Sequence, residues 1–317
     1  MEVLVTGGCG FIGGHTVDAL VDLGHRVTVV DDLSAPENDY FHFNDNAEYY
    51  RFDISTEGYK LSQLGQFDVI YHLAARSRIQ PTFNNRSGAT QVNTIGTQNV
   101  LDHALKSKDC RFIYAGTSSL YGHDNPIPFK EDMEPQLNTP YSLSKWFGER
   151  LCEFYSRTYG LQTIVLRYFN VYGPREPTKG HYAPVIGLFK RQFSAGERMT
   201  IVGSGNQRRD FTYINDVTAA NIACSLPNCF PNMGRPGIGT SQGCFEIYNV
   251  GTGKNYSIKQ VAQMVAGKED ISNVSVHVPL RKSELLETQA DIRKFELAAF
   301  AAGWKPKYDL KDVINLY

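Results

Sequence analysis

The sequence predicts an α/β fold, a doubly wound parallel sheet with a smaller C-terminal lobe. Three observations carry this. Apolar strands and amphipathic helices alternate through the first half of the 317-residue chain, the pattern of a parallel sheet covered on both faces. A glycine-rich turn joins the first strand to the first helix. The alternation fades after about residue 170, where Pro174, Pro177 and Gly180 mark a loop. These place one domain over residues 1–170 and the lobe mainly over residues 171–317, with some segments returning to the first domain.

The first strand is Val3-Leu4-Val5, and Phe11 to Leu23 reads as the first helix. Between them stands Thr6-Gly7-Gly8-Cys9-Gly10-Phe11-Ile12-Gly13. Gly7, Gly10 and Gly13 lack the Cβ that would keep a pyrophosphate from main-chain N–H groups. The partial positive charge of the helix N-terminus then faces the phosphates. The second strand, Arg26 to Val30, ends at Asp31, 21 residues beyond Gly10. That is close to the spacing of a ribose-binding acid in a Rossmann unit. The competing reading is a tight turn followed by a solvated Asp. Asp31 and Asp32 would repel a 2′-phosphate and accept from a free 2′-hydroxyl. No Lys or Arg lies between Asp31 and Tyr50. The cofactor expected is therefore NAD rather than NADP.

A polar loop, Ser34 to Ala47, precedes a third strand over Glu48 to Phe52, which ends at Asp53. Phe67 to His72 is a fourth strand, leading into Leu73-Ala74-Ala75. Ala89 to Ser107 has helical period, with Val92, Ile95, Val100, Leu101, Ala104 and Leu105 near one face. Arg111 to Ala115 is a fifth strand, Tyr141 to Tyr159 a long helix and Thr163 to Arg167 a sixth strand. In the lobe, Val185 to Ala195 is a helix and Thr200-Ile201-Val202 a short strand. Pro227 to Gly243 reads as a surface loop, and Ser257 as the N-cap of a helix through Val265.

Composition narrows the function classes. The net charge of −1 gives no basic surplus for a nucleic-acid partner. No apolar run approaches the length of a membrane span, and no signal peptide is read. The six cysteines form no Cys-x-x-Cys pair and adjoin no His cluster, so no metal site is expected. They read as reduced thiols of a cytoplasmic protein. Cys9, inside the glycine turn, is either a site where oxidation blocks binding or a small residue tolerated there.

Tyr141 and Lys145 stand at i and i+4, on one helix face. An ammonium near a phenol lowers its pKa from about 10, so that it can take a proton from a sugar or alcohol hydroxyl. Such pairs are also common on solvated helix surfaces. The segment Gly116-Thr117-Ser118-Ser119-Leu120-Tyr121-Gly122 follows the fifth strand and brings hydroxyls to its carboxyl end. Thr117 would bond the same substrate hydroxyl as Tyr141, unless the turn only satisfies its own backbone.

Together with His72-Leu73-Ala74-Ala75 and Arg167-Tyr168-Phe169-Asn170-Val171-Tyr172-Gly173-Pro174, these motifs resemble the extended short-chain dehydrogenase/reductase family. Within it the chain is most similar to nucleotide-sugar epimerases of the UDP-glucose 4-epimerase type. The resemblance implies a pyrophosphate turn at Gly7, Gly10, Phe11, Ile12 and Gly13, and an adenosine-ribose ligand at Asp31. It implies adenine neighbours at Asp53 and Ile54, cofactor contacts at Leu73, Ala74 and Ala75, and a structural or cofactor-side asparagine at Asn93. Tyr141 would be the base, and Lys145 would hold the nicotinamide ribose. Thr117 and Ser119 would meet the sugar, Asn170 the substrate diphosphate, and Arg209 and Arg281 its phosphates.

The match is imperfect after Arg281, where the family often has Gly-Asp two residues on and this chain has Ser283-Glu284. Thr288 falls near the position that limits the sugar's C2 substituent, and its size would admit an N-acetyl group. Arg76 and Arg78 either touch substrate or cap the loop after the fourth strand. The implied reaction is C4 epimerisation of a UDP-hexose through a 4-keto sugar. UDP-glucuronate decarboxylation is the alternative, and a non-catalytic NAD sensor a more distant one. The family often dimerises through two helices, and Ala89 to Ser107 with Tyr141 to Tyr159 would serve if the sheet does not use their apolar faces.

Overall fold

The computed structural model describes residues 1–35, 38, 40–179, 183–226, 229–230 and 244–317. The surface loop expected over residues 227–243, and Gly180, lie almost wholly outside them. The first half runs β1 (Glu2–Thr6), α1 (Phe11–Asp22), β2 (Arg26–Asp31), β3 (Glu48–Arg51), β4 (Val69–His72), α2 (Ile79–Asn84) and α3 (Arg86–Thr90). It continues with α4 (Thr97–Ala104), β5 (Arg111–Thr117), α5 (Pro140–Tyr159), β6 (Gln162–Tyr168) and β7 (Val171–Tyr172). The second half contributes α6 (Val185–Ser194), β8 (Met199–Val202), β9 (Arg208–Arg209), β10 (Thr212–Tyr213), α7 (Ile214–Ser225) and β11 (Phe245–Val250). It closes with β12 (Tyr256–Ser257), α8 (Ile258–Ala266), β13 (Ser275–Val278), α9 (Arg293–Ala298) and α10 (Leu310–Val313).

Seven strands form one sheet in the order β11-β6-β5-β4-β1-β2-β3, every pairing parallel. The doubly wound fold is thus the observed one. Period-two alternation feeds two cores. Val3 and Val5 join Val17, Leu20, Val217 and Ala220 on the face covered by α1 and α7. Leu4, Ile70 and Phe112 join Val100, Leu101 and Cys152 on the face covered by α4 and α5. A third core, including Phe189, Met199, Ile201 and Val261, holds the lobe together.

Two elements differ instructively from the sequence reading. The helix expected over Ala89–Ser107 is interrupted by a π-helical turn at Gln91–Gly96, between α3 and α4. β11 was not foreseen. It pairs with β6 from Phe245↔Thr163 to Val250↔Tyr168 and so carries a late segment back into the sheet. Ser257 does cap α8, reciprocally with Gln260. Among the described residues, no helix is long and apolar enough to cross a membrane.

Candidate active site

A cleft of about 530 Å³ opens at the carboxyl ends of the strands, where the lobe meets the sheet. Gly7, Gly10, Phe11, Ile12 and Gly13 form its floor at one end. Gly7 has φ +74°, and a Cβ there would stand 2.6 Å from the Ala74 nitrogen. A Cβ at Gly13 would stand 2.0 Å from the Gly7 oxygen. The turn is therefore a cradle that only glycine builds, with its backbone open to an anionic ligand.

Asp31 ends β2 at the rim and accepts from Cys9 N–H at 3.0 Å and Leu33 N–H at 2.9 Å. Burial, with the neighbouring Asp32 charge, holds its pKa above the usual carboxylate value, while those two N–H groups offset part of the rise. Asp32, Asp53 and Ile54 line the same end, as do Leu73, Ala74 and Ala75 across the turn. Asp53 accepts from the Ser55 N–H and hydroxyl, both at 2.7 Å, which fixes the loop after β3. These residues fit a dinucleotide whose ribose hydroxyl needs an acceptor.

Two open readings narrow here, and one expectation changes. Asn93 does not line the cleft. Its carboxamide accepts from Arg76 N–H at 2.8 Å and donates to the Arg76 carbonyl and Ser144 Oγ, so it braces the wall from behind. Cys9 is buried, and burial pushes its thiol up to about 12; it is a core residue rather than a reactive one. The adenosine end also has a cation nearby. Arg76 reaches Ser34 and Asp32 from the loop after β4, a neighbourhood invisible to a scan of residues 31–50.

The chemical end is built on α5 and β5. Pro140 occupies the first turn of α5, and Thr139 and Ser142 cap each other. This fixes Tyr141 and Lys145 at the mouth of the sheet, where both line the cleft with Thr117 and Ser119. Ser119 N–H and the Thr117 hydroxyl are 3.2 Å apart, so the hydroxyl turn does partly satisfy itself. Burial raises the Tyr141 pKa, while the Thr117 hydroxyl and the Arg78 charge lower it. This corrects the simple expectation of a phenol lowered by Lys145. The Lys145 ammonium instead lies 4.0 Å from the Tyr114 ring centroid, and burial holds its pKa down at about 7.

Beneath this surface Arg167 and Glu149 form a buried ion pair at 2.8 Å. Arg167 also donates to the Tyr121 hydroxyl at 3.0 Å, and Tyr121 donates to Asn249 at 2.6 Å. The network ties the hydroxyl turn to α5, β6 and β11. One signal for it stood in the sequence: Glu149 follows Tyr141 and Lys145 at i+4 spacing, on the buried side of the helix.

Asn170, Arg209, Arg281 and Thr288 line the lobe side of the cleft. Asn170 donates to the Asp210 carbonyl at 3.0 Å. Arg209 donates to Glu284 and to the Leu285 carbonyl, both at 2.7 Å. Asp210, fully buried, accepts from Thr252, Gly253 and Ala290 N–H groups and pins the lobe's loops together. Ser283 has φ +57°, so the backbone keeps the left-handed turn that the missing glycine would favour.

The fold and this cleft define a dinucleotide-binding α/β enzyme with a tyrosine–lysine centre. The chain belongs to the NAD dependent epimerase/dehydratase family, whose model matches residues 3–227. It is 32% identical to a putative UDP-glucose 4-epimerase of Methanocaldococcus jannaschii, over 99% of this chain and 96% of that one. It is 33% identical to a UDP-N-acetyl-alpha-D-glucosaminuronate decarboxylase of Bacillus cytotoxicus, over 99% and 97%. The crystal structure of UDP-glucose 4-epimerase with UDP-glucose from Thermotoga maritima is similar, with a TM-score of 0.86, 31% identity, and coverage of 100% and 97%. The chain is thus an NAD-dependent enzyme of the nucleotide-sugar epimerase and decarboxylase group.

Proposed function

We propose that this enzyme interconverts a UDP-hexose with its C4 epimer, keeping NAD bound throughout. The observation that carries the reading is the convergence of Tyr141, Thr117 and Lys145 in one cleft, between the glycine cradle and the arginine-bearing lobe. NAD, when bound, supplies the redox couple that C4 oxidation and reduction require. Tyr141 takes the proton of the C4 hydroxyl and later returns it. Thr117 orients that hydroxyl. Lys145 holds the nicotinamide ribose and adds positive charge to the pocket. Arg209 and Arg281 grip the diphosphate, for which guanidinium forks are suited. Asn170 meets the same group. That anchor lets the sugar turn over in the pocket without leaving it.

The competing reading is decarboxylation of a UDP-hexuronate, which starts with the same C4 oxidation; the Bacillus cytotoxicus relative supports it. An NMR assay of UDP-, dTDP- and GDP-sugars, without added cofactor, tests both. A C4 epimer of a UDP-hexose supports the proposal, and carbon dioxide from a UDP-hexuronate with no epimer refutes it.

A homodimer is part of the proposal. Leu143, Phe147 and Phe154 are exposed along α5, and Ile95 is exposed on the neighbouring π-helical turn. A largely apolar helix face of this kind, edged by the Arg150–Glu153–Arg157 pairs, can pack against its own copy. Sedimentation of Phe147→Glu checks this, since a charge in the seam leaves monomers. The six free thiols support a reducing, cytoplasmic setting.

A further inference from the structure

We propose that Arg76 is a latch laid across the bound dinucleotide, and that it slows the cofactor's release. The inference rests on NAD occupying the glycine cradle. In the sheet, β1 stands between β4 and β2. The loops after β4 and β2 therefore flank the cradle that follows β1. A side chain joining those two loops must cross above the cradle.

Arg76 makes that crossing. It leaves the loop after β4, and its Nη1 donates to Ser34 Oγ at 3.0 Å and to the Ser34 carbonyl at 3.4 Å. Its Nη2 lies 3.9 Å from Asp32 Oδ2, in the loop after β2. Both loops line the cofactor end of the cleft.

The two ends of this residue are held very differently. Its backbone is clamped by one side chain. Asn93 Oδ1 accepts from Arg76 N–H at 2.8 Å, and Asn93 Nδ2 donates to the Arg76 carbonyl at 3.2 Å. Asn93 is buried and sits on the π-helical turn, an irregularity that re-aims side chains. The Arg76 side chain is 38% exposed, its partner Asp32 is 30% exposed and Ser34 is exposed. An exposed ion pair is weak and opens readily. The stem is therefore fixed and the tip swings, which is what a latch requires.

The chemistry favours closure over a filled site. A guanidinium carries five N–H donors, more than these contacts use. A pyrophosphate beneath it adds anionic acceptors suited to the same fork. Retention also suits the reaction class. An isomerase that ends each cycle with its cofactor in the starting oxidation state has no need to exchange it. Asp32 stands opposite Arg76, so the cation does not turn the ribose pocket towards a 2′-phosphate.

The test is the first-order rate of NAD release from the holoenzyme, with released cofactor trapped by a second dehydrogenase. Arg76→Ala is expected to raise this rate at least tenfold, and Arg76→Lys to give an intermediate value. Ser34→Ala removes the hydroxyl that accepts from the latch. It is expected to raise the rate several-fold alone and to add nothing in the Arg76→Ala background. Release at the wild-type rate from Arg76→Ala, or full additivity of the two substitutions, overturns the latch. If Arg76→Ala does not fold, Arg76→Gln carries the same measurement. A wild-type protein that takes up no NAD at all would refute the cofactor assignment itself, which is a different failure from unchanged release.

Discussion

The Lys145 ammonium rests 4.0 Å from the centre of the Tyr114 ring, while the Tyr114 hydroxyl donates to the Lys145 carbonyl at 3.3 Å. One aromatic residue thus supports both the charge and the backbone of the lysine. Gly148 makes the contact possible, because a Cβ there would stand 2.1 Å from the Tyr114 oxygen. Burial still dominates and holds Lys145 at about 7, with Glu149 acting in the opposite direction. An unfolded lysine titrates near 10.4. Between those values the unfolded chain binds the extra proton, so stability at this group rises with pH; below about 7 the folded state carries the full cost of the buried charge. Lys145→Met removes that cost. In urea titrations of the cofactor-free protein, the variant should gain most over wild type near pH 6, and the advantage should shrink towards pH 10. A gap that does not change with pH contradicts the argument.

Arg78 acts on Tyr141 from the loop after β4. Its charge lowers the phenol's pKa against the upward push of burial. Arg78→Ala should therefore raise the pKa of the base and move the alkaline-rising limb of the kcat/KM profile to higher pH. Arg78→Lys should restore most of the shift. Tyr141→Phe should lower turnover by roughly 10²–10⁴-fold while NAD stays bound. An unmoved limb in Arg78→Ala would mean that the charge does not reach the base.

Glu149 and Arg167 hold the floor of the site by a buried pair at 2.8 Å. Removing one partner leaves the other charged and unpaired, at a cost of about 3–5 kcal/mol. Glu149→Gln should therefore lower the unfolding free energy by that order, and it should loosen Tyr121 and the hydroxyl turn above it. Glu149→Met combined with Arg167→Met should lose less, because no lone charge remains. Denaturation curves of the three variants give the comparison; equal losses would show that the charge pair is not the cause.

Ser283 shows what the sequence could and could not reveal. The departure from Gly-Asp was visible as residues, but the retained φ of +57° was not. A non-glycine residue in that region costs on the order of 1 kcal/mol. Ser283→Gly should relieve part of this and raise the melting temperature slightly; a fall would place the serine contact to the Asn138 carbonyl above the strain.

The legible parts were those with local signatures. Short apolar runs alternating with helical segments gave six strands of the central sheet, and the glycine spacing with Asp31 gave the cofactor end. Asn93 was legible only as a structural or cofactor-side residue, and the roles of Arg76 and Tyr114 were not legible, because each acts through a partner distant in sequence: Ser144, Ser34 and Lys145. β11 was hidden because Glu246 and Asn249 break the apolar pattern of Phe245 to Val250, which becomes a strand by pairing with β6. α7 was hidden because Asn221, buried in it, bonds Thr16 and Tyr168 rather than facing water.

Thr288 is the residue we propose sets which sugar size the cleft accepts. It is 2% exposed yet lines the cleft. Its hydroxyl accepts from Asp210 N–H at 3.3 Å and its N–H donates to the Arg208 carbonyl at 3.0 Å, so its position is fixed by the lobe rather than by a ligand. A small, fixed wall residue leaves room beside the sugar that a bulky aromatic would fill. UDP-glucose and UDP-N-acetylglucosamine should therefore turn over at comparable kcat/KM. Thr288→Tyr should reject the acetylated sugar by about tenfold or more while affecting UDP-glucose less, the discrimination expected when a pocket loses space for one small group. Thr288→Val, which keeps the size but drops the hydroxyl, should leave the ratio between the two sugars unchanged. Strict rejection of the acetylated sugar by the wild type would place the size limit at another residue.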